Sequence, residues 1–138
     1  MDNDITKLPI EEGLTPEKLT DPKTAADFIV SILDSKKARD IKLLHVEKQT
    51  IIADYFVVCT GTSRTQIRSL ADEVEYKLGQ YGVHPSHVEG ADSGVWVLED
   101  FGSVILHVFT PESRQFYNLE KLYKETTEQD IAHLLTED

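Results

Sequence analysis

Several residue groups in this chain stand at spacings that chemistry could use. Gly61-Thr62-Ser63 separates an apolar run from a periodic one, a place where the amides and dipole of a following helix can hold a phosphate. The turn has one glycine and no P-loop lysine, so the preferred reading is that Ser63 caps the helix. Asp72, Glu73 and Glu75 follow at a distance that a two-metal nucleotidyltransferase would use. They fall in a helical segment, however, where neighbouring side chains diverge by about 100° and do not converge on paired ions. Asp92 and Glu99-Asp100 are alternative ligands, but adjacent strand residues point to opposite faces. His84, His87 and Glu89 span a proline turn without a fourth ligand. Cys59, the single cysteine, ends the run Tyr55-Phe56-Val57-Val58-Cys59 and reads as a small buried hydrophobe. No nucleophile, base and orienting carboxylate form a triad, and His45 and His133 carry no pattern. No catalytic residue, metal or cofactor is therefore assigned.

A different signal comes from Leu78 to Ser113. This window holds five carboxylates, Glu89, Asp92, Glu99, Asp100 and Glu112, the only tryptophan, Trp96, and no Lys or Arg. An acidic surface with aromatic residues suits a basic protein and disfavours a phosphate backbone.

The elements that must position these residues follow from periodicity. Asp21-Pro22 supplies a cap and a first helical position, and Ala25, Phe28, Ile29, Ile32 and Leu33 recur at helical spacing to about Ser35. Ile41–Val46 and Tyr55–Thr60 read as strands. Ser63 with Gln66 has the spacing of a capping box, and Ile67, Leu70, Ala71, Val74, Leu78 and Tyr81 then line one face of a helix ending near Gly82. Val95–Leu98 and Val104–Phe109 flank a short turn and read as a hairpin. In its second strand Val104, Leu106 and Val108 alternate with Ile105, His107 and Phe109, so both faces need cover, from this chain or from another molecule. Thr110-Pro111 opens a further helix in which Phe116, Leu119, Leu122 and Tyr123 are expected to face the core, and a last turn is expected around Ile131–Leu135.

This order predicts an α/β (α+β-like) domain, a mixed sheet flanked by helices, over residues 21–126. Residues 1–20 read as a loose acidic extension and 127–138 as an acidic tail. Of the net charge of -11, residues 1–21 and 120–138 contribute -4 each, so the local window weighs more than the total. No apolar run reaches the roughly 18 residues of a membrane span, and a soluble, cytoplasmic protein without a membrane or direct sequence-specific nucleic-acid ligand is expected.

The chain also resembles a known family. Ala53-Asp54-Tyr55-Phe56-Val57, Gly61-Thr62-Ser63, Glu89-Gly90, Trp96-Val97-Leu98-x-Asp100, His107-Val108-Phe109 and Arg114-x-Phe116-Tyr117-x-Leu119-Glu120 stand in the order typical of ribosomal silencing factors, also called RsfS or Iojap. The likeness covers residues 22 to 124. It departs at His45, where Asp is common, at Ser103, where an acid is common, and at Tyr123, where Trp is frequent. The resemblance implies a non-enzymatic protein with a sheet distantly like that of nucleotidyltransferases. It further implies binding to the large ribosomal subunit through its basic protein fourteen, which blocks subunit joining and lowers translation under nutrient limitation. On this reading Trp96, Asp100, His107, Phe109, Glu112, Arg114 and Tyr117 form the partner-binding site, and the sticky patch also predicts a reversible homodimer. The rival readings are a nucleotidyltransferase-like enzyme and an adaptor for another basic protein.

Overall fold

Asp21 accepts a hydrogen bond from the Thr24 amide at 3.0 Å, and with Pro22 in the first turn the chain enters α1 (Pro22–Ser35). The computed structural model describes residues 7–122 and 127–136. After α1 come β1 (Arg39–His45), β2 (Tyr55–Thr60), α2 (Arg64–Gly79), β3 (His87–Glu89), β4 (Trp96–Asp100), β5 (Val104–Phe109), α3 (Pro111–Tyr117), α4 (Leu119–Leu122) and the two-residue β6 (Thr127–Glu128). Gly82, at φ 80, takes the left-handed position after α2, and the Val83 amide donates back to the Leu78 carbonyl at 3.0 Å. The helix signal therefore ends where the glycine stands.

The strands form one mixed sheet in the order β3-β4-β5-β2-β1-β6. β2 and β5 are its parallel neighbours, and the other pairs are antiparallel. Alternation sorts the side chains into two clusters. Leu43, Val57, Cys59, Val97, Leu106 and Val108 face α1 and α2, whose Phe28, Ile29, Ile32, Ile67, Leu70 and Val74 are fully buried with them. Leu44, Phe56, Val58, Ile105 and Phe109 form the second cluster on the other face, with Trp96, Leu98 and Leu119 packed at its edge. Each fully buried aliphatic or aromatic side chain contributes about 1.5–3 kcal/mol, so the central strands hold both layers. β5 is buried along its whole length, as its two-sided apolar pattern requires.

Three expectations change. The turn expected at His84–His87 leads into β3, an edge strand whose exposed His87, Val88 and Glu89 pair with β4 and show no apolar run. Phe116 does not reach the core and is 81% exposed. Its helix has only seven residues and stops at Asn118, which takes the left-handed conformation at φ 49 and turns the chain so that Leu119, not Phe116, meets the second cluster. Tyr123 lies outside the described residues. The stretch before Asp21 is packed from Leu8 onward. Glu11 is 5% exposed, its carboxylate accepting from Lys77 Nζ at 3.0 Å and from the Tyr81 hydroxyl at 2.9 Å. At the other end Ala132–Leu134 forms a single 3-10 turn, and Thr136 donates through its amide and hydroxyl to Asp34 of α1 at 2.9 and 2.6 Å.

Candidate functional site

The β4–β5 hairpin sets Trp96 opposite Phe109, Leu98 opposite His107 and Asp100 opposite Ile105. With period-two alternation these six side chains share the face turned away from α1 and α2. The aromatic groups form a continuous row. His107 meets Phe56 edge-on at 4.8 Å and stacks on Phe109 at 6.0 Å, and Tyr117 stacks on Phe109 at 5.8 Å. Tyr117 also touches Trp96 at 6.2 Å and Phe116 at 5.1 Å. The row runs from buried to exposed: His107 and Phe109 are covered within the chain, Trp96 is half-buried, and Tyr117 and Phe116 are open to solvent. His107 and Phe109 are thus the buried bed of the row, and the solvent-accessible residues there are Trp96, Tyr117, Phe116 and Val95.

Burial pushes the His107 imidazole down to about 4, so the ring is neutral at physiological pH, and its Nε2 finds no hydrogen-bond partner among the described residues. The Trp96 ring packs closely against Gly90. A Cβ there would stand 2.8 Å from the ring and 2.7 Å from the Trp96 carbonyl, and the φ of 80 adds a second requirement for glycine. The Glu89-Gly90 and Trp96 motifs are therefore one packing unit.

The carboxylates of the window separate. Glu112, Glu89 and Asp92 are exposed, with Glu89 paired to His87 along β3. Asp100 is half-buried and accepts from the Gly102 amide at 2.8 Å, closing the hairpin turn. Glu99 points the other way, 2% exposed beneath α2, where burial first and the charge of Glu75 second push its carboxyl up to about 8. It carries a proton at neutral pH and does not belong to an acidic rim.

α3 is pinned to the hairpin by polar contacts. Thr110 and Ser113 cap each other at its start, and the Ser113 hydroxyl donates to the Val95 carbonyl at 2.6 Å. Arg114 donates through Nη1 to the Asp40 carbonyl at 2.6 Å and to Thr60 Oγ1 at 2.8 Å, bracing the helix on the ends of β1 and β2. Arg114 is half-buried in this brace, whereas Glu112 and Tyr117 on the same helix are exposed.

The other candidate groups resolve in favour of structure. Ser63 Oγ accepts from the Gln66 amide at 3.0 Å, as a cap does, while Gln66 Oε1 takes the Thr62 amide at 2.6 Å and the Thr62 hydroxyl at 3.0 Å. The reciprocal bond of a capping box has slipped one residue, and the turn's amide is occupied by the glutamine. Asp72 and Glu75 stand on α2 beside Glu99. Among the described residues no group of three or more His, Cys, Asp or Glu is placed to hold a metal ion, and no helix is long and apolar enough to cross a membrane. Cys59 is buried, its thiol pushed up to about 12 by burial. Sequence reasoning missed Phe116 and Val95 as surface. Two consecutive aromatics on one short helix, Phe116 and Tyr117, cannot both face one core, and that was the available signal.

Comparison with known proteins places this geometry among relatives. The sequence profile of the family described as ribosomal silencing factor during starvation (RsfS) matches residues 19–138. The ribosomal silencing factor RsfS of Bacillus subtilis is 36% identical over 109 residues, covering 79% of this chain and 92% of that protein. Its counterpart from Chromobacterium violaceum is 38% identical over 94 residues, covering 68% and 77%. The chloroplastic protein Iojap of Zea mays is 34% identical over 120 residues, covering 78% of this chain and 51% of its own length. A crystal structure of a Chromobacterium violaceum protein superposes with a TM-score of 0.73 at 35% identity, covering 75% of this chain and 87% of that one.

Proposed function

This chain belongs to the ribosomal silencing factor family, and from that premise we propose that it represses translation by docking on the large ribosomal subunit and keeping the small subunit away. The contact face is Trp96, Phe116 and Tyr117, supported from below by His107 and Phe109 and rimmed by Glu112, Glu89 and Asp92. The partner is the subunit's basic protein fourteen. The observation that carries the reading is the aromatic row that begins in the core and ends at Tyr117 and the 81% exposed Phe116. Rigid aromatics on an ordered bed are the side chains that anchor protein interfaces at low entropic cost. The acidic rim steers a basic partner and raises the association rate, and the aromatics set the residence time.

Blocking is steric and needs no turnover. An interface of about 800 Å² per partner holds a 15.6 kDa body in the path of the small subunit. The same exposed aromatics support a reversible homodimer in the cytoplasm, which competes with the ribosome for one surface.

The test is sedimentation of the protein with separated large and small subunits, using wild type and Phe116→Ala/Tyr117→Ala. The wild type should travel with the large subunit and lower the yield of joined ribosomes. The double variant should bind at least tenfold more weakly while losing only about 1 kcal/mol of stability, the share of the Tyr117 contacts with Phe109 and Trp96, because neither side chain is buried. Wild-type protein that stays at the top of the gradient, or variant protein that binds equally well, refutes the assignment.

A further inference from the structure

We propose that a basic edge formed by Lys36, Lys37, Arg39 and Arg64, beside the aromatic surface, takes the phosphate backbone of RNA. The inference rests on the ribosomal reading above and adds to it a partner of opposite charge, met without regard to base sequence. The four residues come from elements that meet at one end of the sheet. α1 closes at Ser35, β1 opens at Arg39 opposite Thr60, the last residue of β2, and α2 opens at Arg64. Gln66 of α2 donates through Nε2 to the Lys37 carbonyl at 3.4 Å, which ties the turn after α1 to the first turn of α2. All four side chains are exposed. Among the described residues none of them pairs with an acid, whereas Lys23, Lys42, Arg68 and Lys77 each meet a carboxylate. The acids at hand are Asp40 in the same turn and Asp92, two residues before the Gly94 that Arg64 touches. Asp34 is occupied by the Thr136 amide and hydroxyl. In a chain of net charge -11 this edge therefore keeps a positive excess.

Two of these cations stand where local preference favours another residue. The Lys37 amide donates to the Asp34 carbonyl at 2.9 Å and the Ala38 amide to the Leu33 carbonyl at 3.0 Å, a helix end whose left-handed position normally goes to glycine; Lys37 holds it at φ 67. Arg64 is the first residue of α2, at the positive end of its dipole, where a cation is unfavourable. The dipole of α1 accounts for Lys36 at its carboxyl end, yet not for the left-handed Lys37 or for Arg64. Departures of this kind concentrate at functional surfaces. The edge is also continuous with the aromatic row. The Arg64 stem lies along Gly94, where a Cβ would stand 2.9 Å from its Cγ and Cδ, next to the exposed Val95 and to Trp96. On the other side Arg114 of α3 donates to the Asp40 carbonyl at 2.6 Å, so the helix that carries Phe116 and Tyr117 rests on the same turn. A partner seated on the aromatics brings its neighbouring surface towards these cations. Ribosomal proteins are set among RNA, so a basic protein on the aromatic face and phosphates at the edge fit one docking. Ammonium and guanidinium groups hold phosphates whatever the base sequence.

The experiment measures binding of the full chain to purified large subunits across a series of salt concentrations. Lys36→Glu/Arg39→Glu, changes at exposed side chains, should weaken binding at least tenfold, and the slope of log affinity against log salt should fall by at least about 1.4, the share of two phosphate contacts. Lys48→Glu, a reversal at an exposed lysine beyond the other end of β1, should change affinity less than twofold. A benzophenone attached at Lys36→Cys, with Cys59 buried and unlabelled, should photocrosslink to give an adduct that ribonuclease removes. Equal or tighter binding of Lys36→Glu/Arg39→Glu, or an adduct that only protease removes, overturns the inference and leaves the aromatic contact standing. Wild-type protein that does not travel with the large subunit removes the ribosomal reading and this one with it.

Discussion

Glu99→Gln should stabilise this protein, and the gain should depend on pH. Glu99 is 2% exposed, one of its carboxyl oxygens meets no partner among the described residues, and the other groups at hand are Glu75 and Asp72. Burial, reinforced by those two charges, lifts its carboxyl from an ordinary 4.5 to about 8. The folded state therefore holds a proton that the unfolded chain releases once pH exceeds 4.5. Stability attributable to this group falls as pH rises from 4.5 to about 8 and is level above. At pH 7 the cost of keeping that proton is about 3 kcal/mol, and at pH 5 it is below about 1 kcal/mol. Glutamine is neutral at every pH, has nearly the same shape, and its amide can still donate to Glu75. The variant should therefore gain about 2–3 kcal/mol at pH 7, a rise of roughly 6–9 °C in melting temperature for a domain of this size, and little at pH 5. Urea denaturation of both proteins at the two pH values measures the difference directly. A variant no more stable than wild type at pH 7, or one whose gain is as large at pH 5, would refute the reasoning that Glu99 is a buried, protonated acid.

Three further outcomes follow from burial. Glu11→Ala removes the carboxylate that meets Lys77 and Tyr81, and chemical denaturation should show a loss of about 2–4 kcal/mol. Burial pushes the Glu11 carboxyl up, but the Leu8 amide, Lys77 and Tyr81 outweigh it and hold it below 4.5, so its contribution is present above that pH and lost on acidification. The variant should accordingly show less acid destabilisation than wild type. Cys59, with its thiol near 12, should resist a disulfide reagent at pH 8 in the native protein and react within minutes in guanidinium; rapid native labelling would contradict its burial. Phe109→Ala should cost about 3–5 kcal/mol of stability, and a variant that loses ribosome binding at full stability would show that Phe109 is contact surface, not bed.

Much of this architecture is legible in the sequence where one rule acts locally. Asp21-Pro22 marks the start of α1, Ser63 caps α2, Gly82 closes it, and the alternation of Val104–Phe109 marks a strand buried on both sides. What is hidden is nonlocal. β3 has no apolar run because an edge strand of three residues needs only the ladder to β4. The stretch Leu8–Thr20 lacks periodicity because its anchors, Lys77 and Tyr81, stand more than sixty residues away. Alternation correctly groups Trp96, Asp100, His107 and Phe109 on one face, yet it cannot say which of them the chain covers itself. Counting carboxylates likewise includes Glu99 in the acidic window, although its strand position sends it beneath α2.

α3 carries the outer end of the aromatic row, and the way it is held matters for that surface. None of its seven residues is buried, so hydrophobic burial contributes little to its position. Instead it rests on the Thr110–Ser113 cap, the bond from Ser113 to Val95, and the Arg114 brace on Asp40 and Thr60. Each such bond contributes only about 1 kcal/mol, more where a charge is involved. Tyr117 projects from this helix towards Trp96 and Phe109, so the aromatic it adds to the surface is placed by polar contacts and not by burial.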